Sequence, residues 1–156
     1  MVYKKIAITF IFTILNIFVY STNIEKIREL YTKAYLSELN CKLFGENLTK
    51  ETKSCSLIDA YTGCYFLMKC KFSKNPLQRI NYFVAGKTNI EQAIKMNPKS
   101  VELRFLRYSV QRQLPRFLFY FSDIDNDLEF IRENVNKIQN HQTKKFIIQS
   151  MATITI

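Results

Sequence analysis

The feature that most constrains the fold is the shortage of turn residues, since the 156-residue chain holds only three glycines and three prolines. A β-sandwich or barrel needs frequent tight turns, which glycine and proline commonly supply. Apolar residues instead recur at steps of three and four, which is the spacing of one face of a helix. The sequence therefore predicts an all-α domain of antiparallel helix pairs, with six to seven helices.

Proline and capping residues predict where these helices begin and end. Asn75 before Pro76 indicates a helix start, and Ser100 can cap the helix that follows Pro98. The acidic residues between 123 and 127 suit the first turn of another helix, because negative charge complements the positive end of the helix dipole. The predicted helices cover residues 23–37, 39–49, 56–72, 76–96, 100–113 and 123–138, with a tail helix over 141–152.

Residues 1–21 have the pattern of an export signal, with two lysines ahead of a mostly apolar run. We expect cleavage of this segment, which leaves one domain over 22–156 in the periplasm or outside the cell. The alternative is an uncleaved segment that anchors the protein to a membrane. The apolar run is shorter than the about 20 residues of a usual span, which favours cleavage.

The net charge of +10 is concentrated in the middle of the chain, where residues 61–122 hold eleven basic and two acidic side chains. A positive face is expected, with an acidic protein segment or an acidic envelope component as partner. Nucleic acid is not expected, because an exported protein does not meet the genome. In a competing interpretation the basic residues only solvate helix surfaces while their stems cover apolar neighbours.

The middle of the chain resembles a tetratricopeptide (TPR) repeat. In the segment 91–104, Ala93 matches the small packing position of the second helix and Pro98 the proline that follows it. Gly63 matches the glycine of the first helix, and Gly86 the small site where the helices cross. Gly63 and Pro98 are about eleven residues farther apart than in a standard repeat, and no second copy is legible. The arrangement resembles a group of small exported TPR-like proteins of Gram-negative bacteria.

The resemblance implies a concave surface that receives a peptide or a partner helix. That surface would be basic and aromatic, which suits an acidic segment. The candidate partner-binding residues are Tyr61, Tyr65, Lys69, Phe72, Arg104, Arg107, Tyr108 and Arg112. In the alternative interpretation the aromatic residues belong to the core, and Arg104 and Arg107 form structural ion pairs with the acidic residues of 123–127.

The sequence offers no convincing site for catalysis or metal binding. His141 is the only histidine, and no nucleophile motif accompanies it. The acidic run 123–127 resembles the start of a calcium loop, but the glycine and glutamate that such a loop needs are missing. We therefore predict a monomeric, non-enzymatic protein without a cofactor or metal, and with peripheral membrane contact as a further option.

Two features remain open in the sequence. The first is the state of Cys41, Cys55, Cys64 and Cys70, for which an exported location allows disulfides, Cys70 with either Cys41 or Cys55 among them. Buried free thiols are the alternative. The second is the apolar run 117–121, which we predict to be a buried turn that closes the end of the helix bundle rather than a membrane-interfacial patch.

Overall fold

The computed structural model describes residues 24–50 and 55–154, so the predicted signal over residues 1–21 lies outside the described residues. The described residues form α-helices joined by short loops and contain no strand, which confirms the all-α prediction. The helices are α1 over 24–34, α2 Glu38–Leu48, α3 Ser56–Phe72, α4 Pro76–Met96, α5 Val101–Gln113, α6 Ile124–Asn134 and α7 His141–Ile154. Two 3₁₀ turns, Arg116–Leu118 and Val135–Lys137, follow α5 and α6.

The predicted bounds of α3 and α4 match the structure, and side-chain capping sets the starts of α4 and α5. The Asn75 side chain accepts hydrogen bonds from the backbone N–H groups of Leu77 and Gln78, and Ser100 accepts one from Leu103. The first predicted helix is too long, since α1 ends at residue 34. The Ser37 side chain caps α2 instead, so the chain must leave the helical conformation before it.

Helices α3 and α4 form an antiparallel hairpin at the centre of which two glycines meet. A Cβ atom on Gly63 would lie 2.7 Å from the carbonyl oxygen of Gly86, and one on Gly86 would lie 2.8 Å from the carbonyl oxygen of Gly63. Each distance is too short for a side chain, so the two backbones pack this closely only because both residues are glycine. The crossing that the sequence assigned to Gly63 and Gly86 is confirmed. Ala93 is buried farther along α4, and Pro98 lies exposed in the turn before α5.

Helix α5 is the central helix, buried on nearly every side from Glu102 to Gln111. The Glu102 carboxylate accepts hydrogen bonds from Arg28 Nε at 2.8 Å and from the Tyr61 hydroxyl at 2.7 Å, which ties α1 and α3 to α5. Burial and the neighbouring Glu102 carboxylate raise the pKa of Tyr61 well above its ordinary value. Tyr61 is thus a protonated donor within the core.

The cysteines form none of the considered disulfides, because Cys41, Cys64 and Cys70 carry free thiols. Cys41 and Cys64 are fully buried, and the Cys70 thiol donates to the carbonyl oxygen of Arg79 at 3.3 Å. Burial raises the pKa of the Cys41 thiol to about 11. The Cys41 and Cys64 thiols behave as small apolar core atoms, as the interpretation of buried free thiols expected, whereas Cys70 is only half-buried.

The prediction of a buried turn over residues 117–121 is wrong for most of the segment. Only Tyr120 enters the core, whereas Phe117 and Phe119 point into solvent. Phe119 has the backbone angles φ 49° and ψ 38°, in the left-handed region, and this reversal turns neighbouring side chains to opposite sides. Within the described ranges, no helix combines the length and the apolar character needed to cross a membrane.

Candidate binding groove

The structure divides the predicted partner-binding residues between the core and the surface. Tyr61, Arg107 and Tyr108 are at most 4% exposed, so they cannot line an open groove. The prediction that they contact a partner is wrong, because each faces the packed interior around α5. The alternative that the sequence left open, a core role for Tyr61, is the correct one.

The two central arginines are neutralised by acidic residues of α6 and α4. Arg107 Nε and Nη2 donate to the two carboxylate oxygens of Asp127 at 2.7 and 2.8 Å, and its Nη1 donates to Glu91 at 2.9 Å. Asp123 adds an ion pair with Arg107 at 3.2 Å, and Arg104 Nη1 donates to Asp127 at 3.0 Å. This arginine cluster explains Asp123 and Asp127 as structural partners, so the ion-pair interpretation is confirmed for Arg104 and Arg107.

Three of the other candidates, Tyr65, Lys69 and Phe72, lie together on α3. They line an open cavity of about 490 Å³ that is bounded by α2 on one side and by the start of α4 on the other. We call this cavity the lysine groove. Its remaining lining residues are Glu38, Cys41, Lys42, Ser73, Lys74, Gln78 and Tyr82.

Lys69 lies between two aromatic rings in the lysine groove. Its Nζ atom is 4.3 Å from the ring centroid of Tyr82 and 5.4 Å from that of Tyr65, which is cation–π geometry. A hydrogen bond with Tyr82, together with the neighbouring Tyr65, raises the pKa of Lys69 above its usual range. The ammonium group therefore stays charged at neutral pH while the rings limit its motion.

Gly45 on α2 makes room for one of these rings. A Cβ atom on Gly45 would lie 2.7 Å from the Tyr65 hydroxyl oxygen, so the end of the ring occupies the space that the glycine leaves. Phe44 meets the same ring edge-on with centroids 6.2 Å apart. On the opposite wall Phe66 stacks on Tyr82 with an interplanar angle of 10°. Packing thus fixes both rings that flank Lys69.

The charge in the lysine groove is largely unneutralised. Lys42, Lys69 and Lys74 face a single acidic lining residue, Glu38. Lys42 also approaches Glu46 at 3.9 Å, but both side chains are exposed and such a pair is weak. Among the residues that the structure describes, neither Lys69 nor Lys74 takes part in an ion pair. The groove therefore offers positive charge that the fold itself does not use.

Sequence reasoning missed Lys42, Lys74, Tyr82 and Gly45. Lys42 and Gly45 belong to α2, and only the packing of α2 against α3 brings them to Lys69. Gly45 could have indicated this packing from the sequence, because an isolated glycine inside a helix often marks the place where another part of the chain packs closely against that helix. Arg112, which the sequence included, lies exposed at the end of α5 and is not part of the groove lining.

No group of three or more acidic, histidine or cysteine side chains in residues 24–50 and 55–154 is close enough to bind a metal ion. Comparisons with protein-family models, with curated proteins and with solved structures found no match to this chain. The resemblance to exported TPR-like proteins therefore stays a prediction.

Proposed function

We propose that the protein is an exported, non-enzymatic helical adaptor, which binds an acidic protein segment in the lysine groove within the periplasm or cell envelope. The observation that carries the proposal is the charge of Lys69 and Lys74, for which the described part of the fold supplies no acidic partner. A bound carboxylate would provide that partner. The proposed binding surface keeps Tyr65, Lys69 and Phe72 of α3, adds residues of α2 and α4, and leaves out the predicted residues of α5.

The chemistry of the groove favours a peptide over a simple anion. Lysine ammonium groups bind carboxylates through charge-assisted hydrogen bonds. Tyr65, Phe72 and Tyr82 add flat apolar area beside those charges, which suits the aliphatic stems and backbone of an extended segment. The groove is open to solvent, so such a segment can enter without unfolding the helices.

A titration followed by nuclear magnetic resonance (NMR) tests this binding. The probe is acetylated, amidated hexaglutamate at low ionic strength, because salt screens exposed charges. We expect the largest chemical-shift changes at Tyr65, Lys69 and Tyr82, and no comparable changes with hexaglutamine. Shifts concentrated at Arg104 and Arg107, or equal shifts with both peptides, would contradict the proposal.

Two double variants with the same change in net charge show whether peptide binding depends on the groove lysines or only on the overall charge. Lys69→Gln/Lys74→Gln removes two groove cations, and Lys95→Gln/Lys99→Gln removes two exposed cations outside the groove lining. Losing charge-assisted hydrogen bonds should weaken hexaglutamate binding about tenfold in the first variant. The second variant should bind nearly as well as the wild type. Equal weakening in both would mean that only net charge attracts the peptide.

Export is tested separately from binding. Cell fractionation, with mass spectrometry of the N-terminus, should find a chain that lacks residues 1–21 in the soluble envelope fraction. Recovery of the full-length chain in the membrane fraction would instead support the uncleaved anchor. Neither outcome affects the titration, so the two parts of the proposal can fail independently.

A further inference from the structure

The segment between α5 and α6 exposes two large rings on one short turn. Phe117 is 74% exposed and Phe119 is 81% exposed, although Tyr120 beside them is only 4% exposed. A contiguous patch of exposed apolar side chains often marks a contact with a protein or a membrane. We call residues 117–119 the phenylalanine turn.

The phenylalanine turn is held in shape by its own backbone hydrogen bonds and is attached to the core through Tyr120. On one side the backbone N–H groups of Leu118 and Phe119 donate to the carbonyl oxygens of Pro115 and Arg116 at 3.1 Å. On the other side the Tyr120 hydroxyl donates to the Glu91 carboxylate at 2.7 Å. The Tyr120 ring also meets Phe83 edge-on, with centroids 6.3 Å apart. The two exposed rings are therefore displayed by an ordered turn.

The backbone at Phe119 shows that folding alone does not favour this residue. Phe119 is the only non-glycine residue with a positive φ in the described part of the chain. A bulky side chain is unfavourable in that region, which glycine occupies without strain. Because the Phe119 ring is exposed, little burial offsets the strain. A ligand that covers the ring would supply the missing contact.

Cations lie close to the residues that flank the phenylalanine turn. The Arg116 guanidinium carbon lies 4.8 Å from the Phe121 ring centroid, and Lys87 Nζ lies 5.2 Å from that of Tyr120. Arg112 is exposed in the last turn of α5, and no acidic residue occurs between 103 and 122. The nearby acidic residues, at positions 91 and 123, are engaged by Arg107. The surroundings of the exposed rings are therefore positive.

We propose that the phenylalanine turn inserts into the interfacial region of an anionic lipid bilayer. Apolar rings enter the boundary between headgroups and acyl chains, while Lys87, Arg112 and Arg116 contact the lipid phosphates. Two copies of the same cationic surface would repel each other, so lipid fits the charge better than self-association does. This surface is distinct from the lysine groove, and the proposal does not depend on peptide binding.

Tryptophan fluorescence tests the insertion directly, because the chain contains no tryptophan. Phe119→Trp reports on the turn, and Leu39→Trp is the control, since Leu39 is 66% exposed on α2. Both variants are prepared as the full protein. They are mixed with vesicles of equal phosphatidylglycerol and phosphatidylcholine, or of phosphatidylcholine alone. Brominated lipids quench only a tryptophan that enters the bilayer, so another membrane-bound segment cannot mimic the signal.

We expect a blue shift and bromolipid quenching for Phe119→Trp with the anionic vesicles, and neither for Leu39→Trp. Adding Phe117→Ser to the Phe119→Trp variant should lower the partition coefficient about tenfold, the usual effect of withdrawing one buried ring. Absence of quenching at position 119, or equal quenching at position 39, would overturn the proposal. A blue shift without lipid that grows with protein concentration would assign the turn to self-association and also overturn it.

A glycine variant excludes a structural role for the exposed ring. Phe119→Gly removes the ring and relieves the backbone strain, so its midpoint of thermal unfolding should equal or exceed that of the wild type. A clearly lower midpoint would mean that Phe119 stabilises the fold, and would contradict the assignment of its ring to lipid.

Discussion

The arginine cluster of α5 and the lysine groove of α3 use positive charge in opposite ways. Arg107 is buried and satisfied by Asp127, Asp123 and Glu91, so its charge joins helices. Lys69 is half-buried between aromatic rings and has no acidic partner among the described residues. Both belong to the same basic stretch of sequence. A count of charges therefore locates a basic region, but the acidic residues that the fold brings near it decide which cations can bind a partner.

The largest expected effect comes from breaking the arginine cluster. Asp127→Ala leaves the Arg107 charge buried without its main partner, which typically costs about 3–5 kcal/mol of the free energy of unfolding. Asp125→Ala is the matched control, since Asp125 is exposed on the same helix. Urea denaturation followed by circular dichroism measures both. A similar small loss in both variants would mean that the cluster does not hold α5 to α6.

A second effect is a loss of stability at high pH, to which one thiol of the lysine groove and one thiol of the core contribute. Cys41 lines the lysine groove and Cys64 lies in the core. Burial raises the pKa of Cys41 from 9.0 to about 11, and burial raises the pKa of Cys64 further. Both thiols stay protonated in the folded state at pH values where the unfolded chain ionises. Their stabilising contribution is complete below pH 9 and decreases as the pH rises; the contribution of Cys41 is lost by about pH 11, and that of Cys64 only at higher pH.

Each such thiol should remove up to about 1.4 kcal/mol from the free energy of unfolding per pH unit in this window. Urea denaturation at pH 8, 9 and 10 measures the slope. The variant Cys41→Ala/Cys64→Ala should show a smaller slope than the wild type, even though it is less stable at pH 8. Identical slopes would contradict the burial of these thiols.

Two glycine substitutions compare how tightly the α3–α4 hairpin and the lysine groove are packed. Gly63→Ala places a methyl group against the backbone of Gly86, and such overpacking costs about 1–3 kcal/mol because neither helix can move easily. Gly45→Ala meets only a side chain, the end of the Tyr65 ring, which can shift by a few tenths of an ångström more easily than a helix backbone can. Gly45→Ala should therefore cost less stability yet alter hexaglutamate binding. A greater loss of stability for Gly45→Ala would show that α2 packs as rigidly as the α3–α4 hairpin.

The smallest expected effect on stability is that of Lys69→Gln. Lys69 has no ion pair to lose, only its cation–π contacts with Tyr65 and Tyr82, so the free energy of unfolding should fall by about 0.5–1 kcal/mol. Urea denaturation measures this change, and the hexaglutamate titration measures the accompanying loss of binding. A large loss of stability would make Lys69 a structural residue, like Arg107.

Much of the fold could be predicted from the sequence, because local signals set it. Asn75 and Pro76 define the start of α4 through side-chain capping, and Gly63 with Gly86 marks the helix crossing. The ends of α1 and α6 were predicted too far along the chain. There the periodic pattern continues after the helix stops, and a competing cap or a 3₁₀ turn ends it.

The site was harder to predict because it depends on packing between helices. Helix α5 is buried on almost all sides, so helical spacing could not separate core residues such as Tyr108 from groove residues. Lys42 joins Lys69 only through the pairing of α2 with α3. Residues 117–121 are all apolar in sequence, which predicts that they are buried together. The left-handed backbone at Phe119 instead points neighbouring side chains to opposite sides, and the sequence gives no local signal for that conformation.

Photo-cross-linking in the native host tests the central claim most directly. The photoreactive residue p-benzoylphenylalanine replaces Tyr82 in the lysine groove, or Phe130, whose ring lies 5.3 Å from the guanidinium carbon of Arg104. Mass spectrometry of the adducts identifies the attached segment. We predict that position 82 captures an acidic protein segment and that position 130 captures none. Capture of the acidic segment at position 130 alone, or of no protein segment at position 82, would contradict the account.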